Sequence, residues 1–338
     1  NSMTFPPGKL PLDVLDRLLN RYTDTDERII VGARVGEDAT VIDFGNTYLV
    51  AKTDPITFAT NEIGRYAIHV NANDIATMGA TPRWFLATVL LPENITDEPL
   101  VESIFDSITQ AAKEIGVALC GGHTEVTVGL DRPIVVGQML GEVSKDRLVQ
   151  SINLVPGDRI LLTKGLGIEA TAILAHEKAE ILKAQGISPD LLARAAQYLH
   201  NPGISVLNEA RIACQTASVH AMHDPTKGGV ATALSELAKA ANVGLFIEAD
   251  QLFASDETRT LCNVFHLDLL GVISSGALLI GLAESDADPV CNAIENAGIR
   301  CATIGRVEET SFGLKIRHND KWTDLPTFDR DEIGKVFS

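Results

Sequence analysis

A chain of 338 residues, 45% apolar and 22% charged, has the composition of a packed globular protein, which excludes disorder and calls for two cores rather than one. Its net charge of −17 argues against a nucleic-acid partner, because that binding depends on Lys and Arg neutralising phosphates. No apolar run approaches the roughly 20 residues of a bilayer span, so no membrane partner is expected either. Cys120, Cys214, Cys262, Cys291 and Cys301 are scattered without C-x-x-C spacing, the usage of a cytoplasmic protein rather than a disulfide framework or a zinc site.

Behind Pro11, the residues Leu12, Leu15, Leu19 and Tyr22 recur at near-helical intervals and predict a first helix. Residues 39–44 and 48–52 read as strands joined at Gly45-Asn46, with Thr53-Asp54-Pro55 leaving the second. A helix follows over about 64–79, stopped by Gly79 and Pro82. Then come a strand at 85–91, a helix at 98–115, and strands at 117–119 and 134–142. Hairpins alternating with helices make this half α+β. A Val155-Pro156-Gly157-Asp158 turn opens a strand at 159–163 and a helix after Lys164-Gly165, so the boundary is placed near 150, giving domains 1–150 and 151–338. Helices at 191–199 and 226–241 and strands at 244–248, 277–282 and 301–307 continue an α/β alternation.

No P-loop is present, since Gly8-Lys9-Leu10 lacks the upstream glycine and the hydroxyl, and Gly165-Leu166-Gly167 is no dinucleotide fingerprint. Acids recur instead at element ends: Gly36-Glu37-Asp38, Thr53-Asp54-Pro55, Asn71-Ala72-Asn73-Asp74 and His223-Asp224-Pro225-Thr226. Each has an ordinary reading in turn or cap chemistry, Asp224 as an N-cap with Pro225 at the first helical position among them. On the 64–79 helix, Ile68, Ala72, Ile75, Ala76 and Gly79 form an apolar arc with Asn71 and Asp74 at its edge, placed to reach a cleft or to flank solvent. Gly121-Gly122, read as a strand exit, can bring backbone N–H groups to a ligand or make a tight turn, and His123 beside them can orient a group or sit satisfied in a loop. Gly228-Gly229, read inside a helix, points to close packing or a nearby ligand. Carboxylates gathered in one place would repel a triphosphate unless hard cations lay between them, which points to Mg²⁺. Without a P-loop lysine, at least two such ions are expected.

These motifs, in this order, resemble the aminoimidazole-ribonucleotide synthetase (AIR synthase, PurM-like) superfamily, and most nearly its branch akin to the hydrogenase expression/formation protein HypE. The match runs from Gly8-Lys9-Leu10 to Asp331-Glu332-Ile333 and includes Asn71-x-x-Asp74-x-x-x-Met78-Gly79-Ala80-x-Pro82, Gly121-Gly122-His123-Thr124-Glu125 and His223-Asp224-Pro225-Thr226-x-Gly228-Gly229. The resemblance implies a two-domain PurM-like fold, with N-terminal sheets paired into a β-barrel in a homodimer and a C-terminal α/β sandwich. It implies ATP and Mg²⁺ as ligands, with Asp38, Asp54, Asp74 and Asp224 on the metal or phosphates. Asn71, Gly121, Gly122, Thr124 and Thr226 would lie along the nucleotide, and Lys9 and His123 would be candidate catalytic groups. The implied chemistry is ATP-dependent phosphorylation that activates a carbonyl, amide or related acceptor, small or protein-borne, in hydrogenase maturation. A thiamine-monophosphate kinase and a nucleotide-binding scaffold of a maturation complex are the alternatives. Carbamoyl dehydratases of the branch carry a terminal cysteine, whereas the last cysteine here is Cys301, so that chemistry is not expected on this chain's own tail.

Overall fold

The computed structural model describes residues 4–5, 10–34, 37–57 and 62–337, so Lys9 and Gly36 lie outside it. The first half runs α1 (Leu12–Tyr22), β1 (Ile29–Val31), β2 (Thr40–Asp43), β3 (Tyr48–Ile56), α2 (Ile63–Ala76), β4 (Thr81–Pro92), α3 (Glu98–Glu114), β5 (Ala118–Thr127) and β6 (Ile134–Val143). Its strands form one mixed sheet in the order β1-β2-β3-β6-β4-β5, in which only β4 and β5 are parallel. The β2–β3 hairpin turns at Gly45, whose φ of 94° suits a residue without a side chain. Alternate strand residues, Val41, Val50, Phe85, Val89, Val135 and Met139, face a core closed by α2 and α3. Those helices approach so closely that a Cβ on Gly64 would run into the backbone of Ile108.

The second half runs β7 (Arg159–Thr163), α4 (Ile168–Glu177), α5 (Ala179–Ala184), α6 (Pro189–Ala196), α7 (Leu207–Thr216), β8 (Val219–His223), α8 (Gly229–Ala241), β9 (Gly244–Glu248), α9 (Asp256–Val264), β10 (Leu279–Leu282), α10 (Glu284–Asn296), β11 (Cys301–Glu308), β12 (Leu314–His318), β13 (Lys321–Asp324) and α11 (Gly334–Phe337). The sheet order is β13-β12-β9-β11-β7-β10-β8, with β12 and β9 its parallel pair. On β7, Ile160 and Leu162 join a core with Val230, Leu234 and Leu237 of α8, while Leu161 joins Ala210 of α7 and Val290 of α10 on the opposite face. Helices thus cover both faces, as a sandwich requires. Both sheets are open, ending at β1 and β5 and at β13 and β8, and neither closes into a barrel among the described residues.

Several elements differ from the sequence expectation. β3 continues through Thr53, Asp54 and Pro55 instead of ending before them, because its partner β6 pairs with it along its whole length. β5 likewise runs straight through Gly121-Gly122-His123-Thr124-Glu125 rather than stopping at a glycine turn. The flank predicted for α2 is buried: His69, Asn71, Asn73 and Asp74 are all enclosed, since α2 lies between the first sheet and the second half. Asn73 makes that connection, its Nδ2 donating to the carbonyl of Ile204 at 2.8 Å and its Oδ1 accepting from the N–H of Val206 at 3.0 Å. Among the described residues no helix is long and apolar enough to cross a membrane.

Candidate functional site

Acids from both halves meet at the C-terminal end of α2. Asp38 lies just before β2, Asp74 in the last turn of α2, and Asp224 directly after β8. Lys52 and Asp54 are two residues apart on β3, so they share its inward face with the buried Val50. Asp38 accepts from the Thr77 hydroxyl at 3.1 Å and from His223 Nδ1 at 3.0 Å. The other ring nitrogen of His223 reaches Glu236 on α8 at 2.7 Å. Ligating atoms of Asp38, His223 and Asp224 all lie within 4.8 Å of one another. Lys52 Nζ stands 3.1 Å from Asp74 Oδ2.

The electrostatics follow from this crowding. Two full negative charges within 4.8 Å would repel by roughly 3–4 kcal/mol at the effective dielectric of such a site. Burial first, and then the charges of Asp38 and Asp54, push the Asp74 carboxyl up to about 7 although Lys52 opposes them. Burial and the neighbouring Asp74 and Asp38 hold Asp224 well above the carboxylate range, with a hydrogen bond between the Asp74 and Asp224 carboxyls. For Asp38 burial also acts upward, but the charge and hydrogen bond of His223 outweigh it and keep the carboxyl below its ordinary value. His223 is raised far above an ordinary histidine: burial favours the neutral ring, but Asp38 and Glu236 at its two nitrogens favour the cation more. Lys52 is likewise raised, the surrounding aspartates outweighing its desolvation.

This donor set fits Mg²⁺. The carboxylate oxygens of Asp38 and Asp224 are hard ligands, His223 beside them is already held by Asp38 and Glu236, and the crowding that raises Asp74 and Asp224 is relieved by a cation. Beside them Asn71 is fully enclosed, its Nδ2 donating to Ala67 at 2.8 Å while its Oδ1 has no partner among the described residues. Gly137 allows this, because a Cβ there would strike Asn71 and the Phe85 ring.

The remaining expectations sort differently. Asp224 does not cap α8: Gly228 does, at φ 84°, and Gly228 and Gly229 stand at the helix start rather than inside it. A Cβ on Gly229 would meet the Leu270 carbonyl, so close packing accounts for it. Thr226 begins the same turn, its carbonyl accepting from Gly229 at 3.1 Å. Gly122 lies on one cross-strand row with Ala87, Gly137 and Asp54, three strand spacings or about 14 Å from Asp54. Within one chain, Gly121, Gly122, His123 and Thr124 are therefore not gathered with the acids. His123 is exposed and bonded to Glu125 at 3.0 Å. Sequence reasoning missed Lys52 and the His223–Glu236 clamp. Period-two spacing puts Lys52 on the face of Asp54, but only the tertiary fold buries that face and brings Glu236 to His223.

Both halves of the chain match one family, the AIR synthase related proteins. Residues 36–143 match the N-terminal domain of that family and residues 155–316 its C-terminal domain, and the chain belongs to it. It is similar to a putative hydrogenase expression/formation protein of Methanocaldococcus jannaschii, 30% identical over 287 residues that span 83% of this chain and 82% of the relative. A thiamine-monophosphate kinase of Pyrococcus horikoshii is 29% identical over 308 residues, 86% of this chain and 88% of that one. The fold matches the crystal structure of the hydrogenase maturation protein HypE in complex with ATP, at a TM-score of 0.70 and 22% identity over 95% of this chain and 93% of the other.

Proposed function

We propose that the cleft binds Mg-ATP and that the chain is an ATP-dependent enzyme of the HypE-like type, acting in hydrogenase maturation by phosphorylating a carbonyl, amide or related acceptor group. One observation carries the reading: Asp38 from the first half and Asp224 from the second bring ligating atoms within 4.8 Å of one another, and Asp74 lies close enough to feel the charge of both. Magnesium, when bound, would neutralise the phosphates and the charge developing on them. The chain's own part is to hold and orient. Asp38, Asp74 and Asp224, with Asp54 beside them, would take the metal, and His223, pinned by Glu236, fixes Asp38. In the transfer, an acceptor oxygen forms its bond to the γ-phosphorus as the bond to the bridging oxygen breaks and ADP leaves.

The proposal includes a homodimer whose N-terminal sheets join in a barrel. Supporting it, β5 is a ten-residue edge strand exposed along nearly its whole length, with Val126 58% exposed, and an uncovered edge of that kind invites pairing. A second copy would also bring Gly121, Gly122 and Thr124 toward phosphates that they do not approach within one chain. All five thiols are free, in keeping with the cytoplasm.

The decisive measurement is calorimetric binding of ATP with and without Mg²⁺, alongside ADP release. Asp74→Asn and Asp224→Asn are expected to lower turnover by on the order of 100-fold with the fold retained. A protein that neither binds nor hydrolyses ATP in Mg²⁺ sinks the reading. Because the Pyrococcus relative spans so much of the chain, ADP release with thiamine monophosphate as acceptor separates a kinase of that type from a HypE-like enzyme.

A further inference from the structure

The cleft holds a cation of its own. Lys52 leaves β3 on the same face as Asp54, and its ammonium lies 3.1 Å from Asp74 Oδ2 with its side chain 24% exposed, so it joins the acids while staying partly open to solvent. The charges around it are unequal. Asp38, Asp54, Asp74 and Asp224 face Lys52 and His223, and both nitrogens of His223 are already committed, one to Asp38 and one to Glu236. Lys52 pairs with Asp74, while the His223 ring beside Asp224 is already held at both nitrogens.

An ammonium and a divalent cation compete for the same carboxylate oxygen. A lysine is suited to such an exchange: it carries a point charge with three rotatable donors on a flexible stem, and it binds phosphate as readily as carboxylate. We propose that Lys52 is a resident counter-cation of the cleft, holding Asp74 while no nucleotide is bound and swinging from Asp74 to the phosphate chain when metal and nucleotide enter together. The consequence is an order of binding, in which metal alone is disfavoured and metal with nucleotide is favoured. The inference rests on reading the cleft as a Mg-ATP site.

The test compares the wild type with Lys52→Gln and Lys52→Arg, using Mn²⁺ alone, followed by electron paramagnetic resonance, and then a non-hydrolysable ATP analogue with Mg²⁺ by calorimetry. Removing one nearby charge is expected to tighten Mn²⁺ binding without nucleotide by about tenfold and to weaken the Mg-analogue complex by at least about tenfold. Lys52→Arg, which keeps the charge, should stay near wild type for Mn²⁺. Lys52→Gln with unchanged Mn²⁺ affinity, or with unchanged analogue affinity, overturns the proposal. Should the wild type bind no Mg-analogue at all, the functional reading falls and this one with it. Should Lys52→Gln fail to fold, the wild type labelled with ¹⁵N-lysine decides. An exchange-protected ammonium resonance that moves when Mg-analogue is added supports the exchange, and a spectrum left unchanged by a bound analogue refutes it.

Discussion

Glu169, in the first turn of α4, is 8% exposed, and burial pushes its carboxyl up to about 7; Ser275 and Lys227 oppose the rise and Asp331 adds to it. Below the ordinary value of 4.5 the group is protonated whether the chain is folded or not, and its contribution is fully present. As pH rises through about 7, the folded state must surrender a proton that it holds more tightly than the unfolded chain, and stability falls. The loss is at most about 3 kcal/mol. Glu169→Gln is therefore expected to gain stability relative to wild type at pH 8 and little at pH 5, read from urea midpoints at both. Parallel pH profiles for the two proteins would remove Glu169 as the cause. The aspartates at 38 and 224 were legible as candidates because each stands at an element end beside turn residues, and Asp74 because it borders the apolar arc of its helix. Lys52 was not, because a lysine on a strand normally faces water, and only burial of the inner face of β3 by α2 turns this one inward.

At the scale of elements, the paired glycines of β5 have different jobs. Gly122 has φ 149°, and a Cβ there would run into the Ala87 carbonyl, next to the register shift where β4 and β5 slip past one another. On Gly121 the same atom would meet only the Leu86 side chain at 3.7 Å, an ordinary contact. Gly122→Ala should thus cost on the order of 2–3 kcal/mol in thermal or urea unfolding, while Gly121→Ala should cost a few tenths; equal effects would contradict the assignment. The short strands at 159–163 and 244–248 were legible to the residue, because continuous apolar runs lay between turn signals. Long β3 and β5 were cut short, because Asp54-Pro55 and Gly121-Gly122 are local stop signals overridden by pairing with β6 and β4. The burial of α2 was half visible. Its apolar arc showed one covered face, but the polar face is covered too, by the carbonyl and N–H groups of a segment more than 100 residues later.

For the whole molecule, size-exclusion chromatography with light scattering should give twice the 36.2 kDa of one chain despite the charge of −17. Val126→Lys, at the bare edge of β5, is expected to shift the species toward monomer and to weaken Mg-ATP binding in parallel. A wild type that stays monomeric at micromolar concentration would remove the barrel from the proposal. Length and composition made two cores legible, and the motif order made their family legible. The sharing of one helix between them was not, since nothing local in Asn73 says what it will hold. That amide ties the central helix to the backbone of the other half, and Asp74 follows it by one residue. A molecule bolted together at this point cannot gape like a clam shell without tearing the bolt. Parting the halves there must break both of those bonds, and the break falls one residue from a candidate metal ligand.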